Sequence, residues 1–142
     1  MIPRAITQTA MTDSLTGVWH GTFVQPQAGM VTFLATLIES GGALAGNVTE
    51  PCISAGCPLS THDASIAGHR SGSAVSFVKR YEPPGYGYGT VQYEGAVNAE
   101  ATEIHGRWRI AGSKDSGAFL MVRASRTAQA SVTEQRSKEP VR

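Results

Sequence analysis

The 142-residue chain has little net charge, few cysteines and no long apolar run, and each shortage removes a class of function. Twelve basic residues against eleven acidic ones leave a formal charge of +1, too weak a field to draw in nucleic acid or an acidic lipid surface. No apolar stretch approaches the roughly 20 residues that cross a bilayer as a helix, and the N-terminus lacks the apolar segment of a secretion signal. The expectation is a cytoplasmic protein with no nucleic-acid or membrane partner. Cys52 and Cys57, five positions apart, are the two cysteines. They are close enough to bridge if the backbone turns suitably, yet a reducing cytosol would keep them as thiols, and no further ligands cluster with them to make a zinc site. No metal and no cofactor is expected, and no catalytic triad or carboxylate pair is visible.

A helical period is also missing. What stands in its place is 16 glycines, only 16% charged residues, and Val, Thr, Ile, Phe and Tyr set between turn residues. That composition reads as all-β. Eight strands are predicted: Leu15 to Phe23, Val31 to Ser40, Ala43 to Glu50, Ser60 to Arg70, Ser73 to Glu82, Gly89 to Asn98, Glu103 to Gly112 and Gly117 to Ser125. Short turns such as Ser40-Gly41-Gly42 and Ser71-Gly72-Ser73 alternate with longer loops carrying proline, cysteine or tyrosine. In an antiparallel meander, alternate connections fall at opposite ends, so the elaborate loops gather at one end. Closure into a single eight-stranded up-and-down β-barrel removes the edges that a flat sheet would expose. The predicted domain spans 14–126. Residues 1–13 and 127–142 lack strand periodicity and are expected to be disordered. A second methionine, Met11, is an alternative start.

Residues two apart share a face of a strand. Val75, Phe77, Lys79 and Tyr81 form one set, Val91, Tyr93 and Gly95 another, and Ile104, Gly106, Trp108 and Ile110 a third. Their opposite faces carry Gln92, Glu94, Arg107 and Arg109, which belong in water, so the aromatic sets point inward. Phe77, Tyr93 and Trp108 either fill a small barrel or offer a ligand a stacking surface. The same parity puts His20, His69 and His105 outside and leaves His62 as the lumen histidine. Lys79 is the odd member of its set. It either snorkels to the mouth or pairs there, beside Tyr81, with a carboxylate on an apolar ligand. In the loop Pro83-Pro84-Gly85-Tyr86-Gly87-Tyr88, stiff prolines precede a glycine-freed tip, which makes Tyr86 and Tyr88 candidates for a flap over the mouth. The second strand is apolar on both faces, with Leu34 and Ile38 opposite Val31, Phe33, Ala35 and Leu37. An outward apolar stripe predicts contact with a second copy of the chain.

Several segments resemble the avidin and streptavidin family. Leu15-Thr16-Gly17-Val18-Trp19 looks like its first strand, Ala43-Leu44-Ala45-Gly46 like its third, and Phe77-Val78-Lys79-Arg80-Tyr81 like a strand that carries a ligand-stacking tryptophan. Tyr93-Glu94-Gly95 and Gly106-Arg107-Trp108 stand where two more such aromatics lie. The likeness runs from Leu15 to Ser125, and the Gly-x-Trp opening is shared with lipocalins and other calycin barrels. The resemblance implies a streptavidin-like or lipocalin-like barrel in which Arg123 packs across Trp19 to close one end. It departs from the family at the biotin contacts, where Gly21, Val48, Glu50, Gly89 and Val91 replace polar ligands. No tryptophan follows Trp108 to form an inter-subunit lid. A site stripped of its buried hydrogen-bond partners loses several kcal/mol for the ligand that needs them, so tight biotin binding is excluded.

The sequence thus predicts a barrel that binds a small, partly apolar molecule through Phe77, Lys79, Tyr81, Tyr86, Tyr88, Tyr93 and Trp108. The alternatives are a barrel cyclase or isomerase using Tyr81, Tyr93, Lys79 or His62 as proton donors, and an interaction scaffold with a packed lumen.

Overall fold

The computed structural model describes residues 13–51, 61–82 and 90–124. Eight antiparallel strands follow one another around a closed barrel: β1 (Gly17–Gln25), β2 (Gly29–Ser40), β3 (Ala43–Pro51), β4 (Thr61–Ser71), β5 (Ala74–Glu82), β6 (Val91–Val97), β7 (Glu103–Ile110) and β8 (Ser116–Arg123). Each strand pairs with its neighbour in sequence, and β8 pairs with β1 to close the ring. No helix among the described residues is long and apolar enough to cross a membrane. Cys52, Cys57, Tyr86 and Tyr88 lie outside the described residues.

Alternation of side chains sets the core. On β1 the buried residues are Trp19, Gly21 and Phe23, and on β5 they are Val75, Phe77, Lys79 and Tyr81. His20, His69 and His105 are exposed while His62 is buried, as parity requires. The barrel is narrow enough that large rings need glycines beneath them. A Cβ on Gly21 would lie 2.1 Å from the Phe33 ring, so the residue missing from β1 is the space that the β2 ring occupies. Between β2 and β3, Gly41 and Gly42 both adopt positive φ, 59° and 87°, which is the backbone that a tight two-residue hairpin demands.

The end with the short turns is sealed. The Trp19 indole donates to the Leu15 carbonyl at 2.9 Å, and the Arg123 guanidinium lies 4.7 Å above its ring. Arg123 also donates to the carbonyls of Ala101, Thr16 and Ser14, which ties β8 to the β6–β7 turn and to the segment before β1. Arg70 does the same from β4, donating to Asp13 and Gly72 and pairing with Glu39 at 3.1 Å. Both arginines close this end.

Candidate functional site

The connections at 26–28, 52–60, 83–90 and 111–115 all leave from the opposite end, and 52–60 and 83–90 are the longest in the barrel. Beneath them the lumen changes character. Its middle is filled by aromatic rings: Phe77 stacks on Tyr93 with centroids 4.9 Å apart, and Phe119 meets Tyr93 edge-on at 4.9 Å. Trp108 packs edge-on against Phe23, and its indole donates to the Val24 carbonyl at 3.1 Å. Phe119 and Met121, inward residues of β8, join this packing. The indole of Trp108 leaves no space for a side chain at residue 117, where an added Cβ would lie 2.8 Å from its nitrogen.

Above the rings lies a charged cluster. Lys79 is only 2% exposed, so it does not snorkel to the mouth. Its Nζ donates to Glu50 Oε2 at 2.8 Å, and the Tyr81 hydroxyl donates to Glu50 Oε1 at 2.7 Å. The carboxylate that pairs with Lys79 therefore belongs to this chain rather than to a ligand. Lysine loses its preference for water here because four rings surround the ammonium: Phe23 at 4.7 Å, Tyr81 at 4.8 Å, Tyr93 at 5.3 Å and Phe33 at 5.9 Å. His62, opposite Glu50 in the β3–β4 register, packs against Tyr81 with ring centroids 4.8 Å apart and planes tilted by 33°.

The titration of the cluster follows from this packing. Burial opposes the Lys79 charge, but Tyr93, the Glu50 carboxylate and Tyr81 outweigh it, so the lysine titrates well above its ordinary range. Burial likewise pushes the Tyr81 and Tyr93 phenols up. At neutral pH the site holds an ammonium and two neutral phenols, all of them hydrogen-bond donors.

Of the residues singled out from sequence, Phe77, Lys79, Tyr81, Tyr93 and Trp108 are all buried inside the barrel. Lys79, Tyr81 and Tyr93 meet in the cluster, while Phe77 stacks below and Trp108 lies to one side. Glu50, which organises the cluster, was read only as a lost biotin contact. Its parity with Leu44 and Val48 was the available signal, since all three are buried.

Among the described residues, β2 and β3 part beside Glu50. The β2–β3 ladder runs from Ser40 opposite Ala43 to Leu34 opposite Thr49 and stops there. Beyond that point β2 continues in register with β1 down to Gly29, and β3 continues with β4 to Pro51 opposite Thr61. A cleft of ≈ 650 Å³ lies at this parting, with Thr32 and Phe33 on one side and Glu50, Pro51 and Thr61 on the other.

No protein-family model matches the chain, and no curated protein is significantly similar to it. Among solved structures it is similar to a redesigned β-barrel, with a TM-score of 0.63 at 13% identity, covering 78% of this chain and 92% of that one. At that identity the likeness supports the barrel fold and nothing further.

Proposed function

We propose that this chain is a small-molecule-binding barrel whose ligand is partly apolar and uncharged, held at the open end beside the Lys79–Glu50–Tyr81 cluster. The observation that carries the reading is the cluster itself. An ion pair with both partners at 2% exposure or less adds little to stability, since apolar residues of the same shape commonly serve as well or better. Buried, charge-bearing and shifted groups gathered at one end of a barrel are what a polar recognition site requires. The streptavidin-like resemblance contributes only the architecture to this reading.

Charge decides the ligand class. Lys79 and Glu50 neutralise each other at 2.8 Å, so a ligand carboxylate would leave two buried anions sharing one cation. An uncharged carbonyl, hydroxyl or amine can exchange hydrogen bonds with Tyr81, Lys79 or Glu50 at no such penalty. Proton transfer is less well served, because burial holds both phenols above their usual range and the lysine stays charged, which makes all three weak acids near neutral pH. The test is a fluorescence titration with 1-aminoanthracene, a neutral apolar amine. Saturable one-to-one binding by the wild type, lost in a folded Glu50→Leu/Lys79→Met double variant, supports the reading. Equal binding by both proteins refutes it.

A further inference from the structure

We infer that the cleft between β2 and β3 is the seat of the ligand's apolar body, so that the molecule reaches Glu50 through the side of the barrel and not along its axis. This rests on the small-molecule reading above and adds a place and a ligand chemistry to it.

Glu50 is buried, yet it lines the cleft, whereas among the described residues the axial route is occupied by side chains of the chain itself. Phe23, Phe33, Tyr81 and Tyr93 crowd around Lys79, and each is at most 8% exposed. The lateral route exists because two adjacent strands follow different partners beyond Leu34 and Thr49. Strand tilt and stagger in a closed barrel make such partings natural, and this one falls beside the residue whose carboxylate anchors the cluster. Its volume of ≈ 650 Å³ lies within the roughly 300–1,000 Å³ of small-molecule sites.

The lining defines what would fit. Leu34, Leu120 and Val122 turn apolar side chains outward along the cleft, which gives these exposed or half-buried residues a use other than contact with a second copy. Threonines 22, 32, 49 and 61 supply uncharged hydroxyls. Glu50 is the only Asp, Glu, Lys or Arg among the described lining residues, and it is an acceptor already balanced by Lys79. The complementary molecule is uncharged and largely apolar, with one O–H or N–H donor at the end that meets Glu50. Among the described lining residues an anionic ligand would find no Lys or Arg, and His20 is the one basic side chain.

The experiment places bulk in the cleft without touching the cluster. Thr32→Trp and Leu34→Trp each put an indole there, whereas Thr36→Trp puts one on the same outward face of β2 outside the lining. Circular dichroism identifies which variants fold, and two cleft variants guard against one that does not. For 1-aminoanthracene the cleft variants should raise Kd about tenfold or more, and Thr36→Trp should change it less than about twofold. Affinity undiminished in the folded cleft variants overturns the lateral site while leaving the barrel-binding function standing. Failure of the wild type to bind overturns that function and the cleft with it.

Discussion

Replacing Glu50 with glutamine should reverse the way stability responds to alkali. In the wild type Lys79 titrates above the ordinary lysine value of 10.5, so the folded chain binds the lysine proton more tightly than the unfolded chain does. The contribution is therefore fully present below pH 10.5 and is lost as the pH rises through the folded value. Glutamine preserves the shape and the acceptor but removes the charge. Burial, the largest influence on Lys79, is then opposed only by the rings and phenols, and the lysine should fall below its unfolded value. The unfolded state then binds more protons between the two values, and stability rises with pH up to about 10, where the buried phenols begin to oppose it. Breaking a buried pair by removing one partner costs about 3–5 kcal/mol, on the order of 10–20 °C in Tm for a domain of this size. The assay is urea denaturation of wild type and Glu50→Gln from pH 6 to 10. A cost below about 1 kcal/mol, as for an exposed pair, or parallel pH slopes in the two proteins, would refute the reasoning.

Other perturbations test the rest of the barrel. Gly21→Ala drives a methyl group into the Phe33 ring, and overpacking of this kind should lower stability by about 1–3 kcal/mol; Gly21→Ala/Phe33→Leu should recover part of it, read from the urea midpoint. Trp108→Phe removes half of a buried bicyclic ring and leaves the Val24 carbonyl without its indole donor, with an expected loss of about 2 kcal/mol or more in the same assay. Arg123→Met should cost about 1–3 kcal/mol by removing the stack on Trp19 and three carbonyl contacts, and should shift tryptophan emission while leaving 1-aminoanthracene binding intact.

The fold was legible because its signal is repeated. Turn residues separate eight alternating segments, and the predicted strand ends fall within two residues of those observed. Parity then orders the inward sets, because a slip of one position would bury Arg107 and Arg109 and expose Trp108. The cluster was only half visible. Lys79 and Tyr81 announce themselves on one strand, but their partner stands on β3, 29 positions from Lys79, and the parity that Glu50 shares with Val48 says that it faces inward without saying what it meets there. Pairing at that distance depends on the β3–β4–β5 register, in which Glu50 faces His62 and Tyr81 faces Ala64. A lysine at a strand end also reads naturally as one that reaches for water, and the four rings around it among the described residues come from β1, β2, β5 and β6. The cleft was less accessible still. It arises from where a ladder stops, which sequence alternation does not encode.

The two ends of the barrel use the same device to different effect. Each sets a cation over aromatic rings: Arg123 over Trp19 at the sealed end, and Lys79 amid Phe23, Phe33, Tyr81 and Tyr93 at the other. Arg123 is partly exposed and donates to three main-chain carbonyls, so its role in closing the barrel is complete without any ligand. Among the described residues Lys79 satisfies no main-chain group in this way. Its partner is a second buried charge, and an apolar pair in the place of both should fold as well or better. Glu50→Leu/Lys79→Met is therefore expected to match or exceed the wild type in urea while losing 1-aminoanthracene, whereas Arg123→Met should lose stability and keep the probe. If the double variant proved as unstable as Glu50→Gln, the ion pair would be a structural element of the barrel, and the case for a binding site around it would fall.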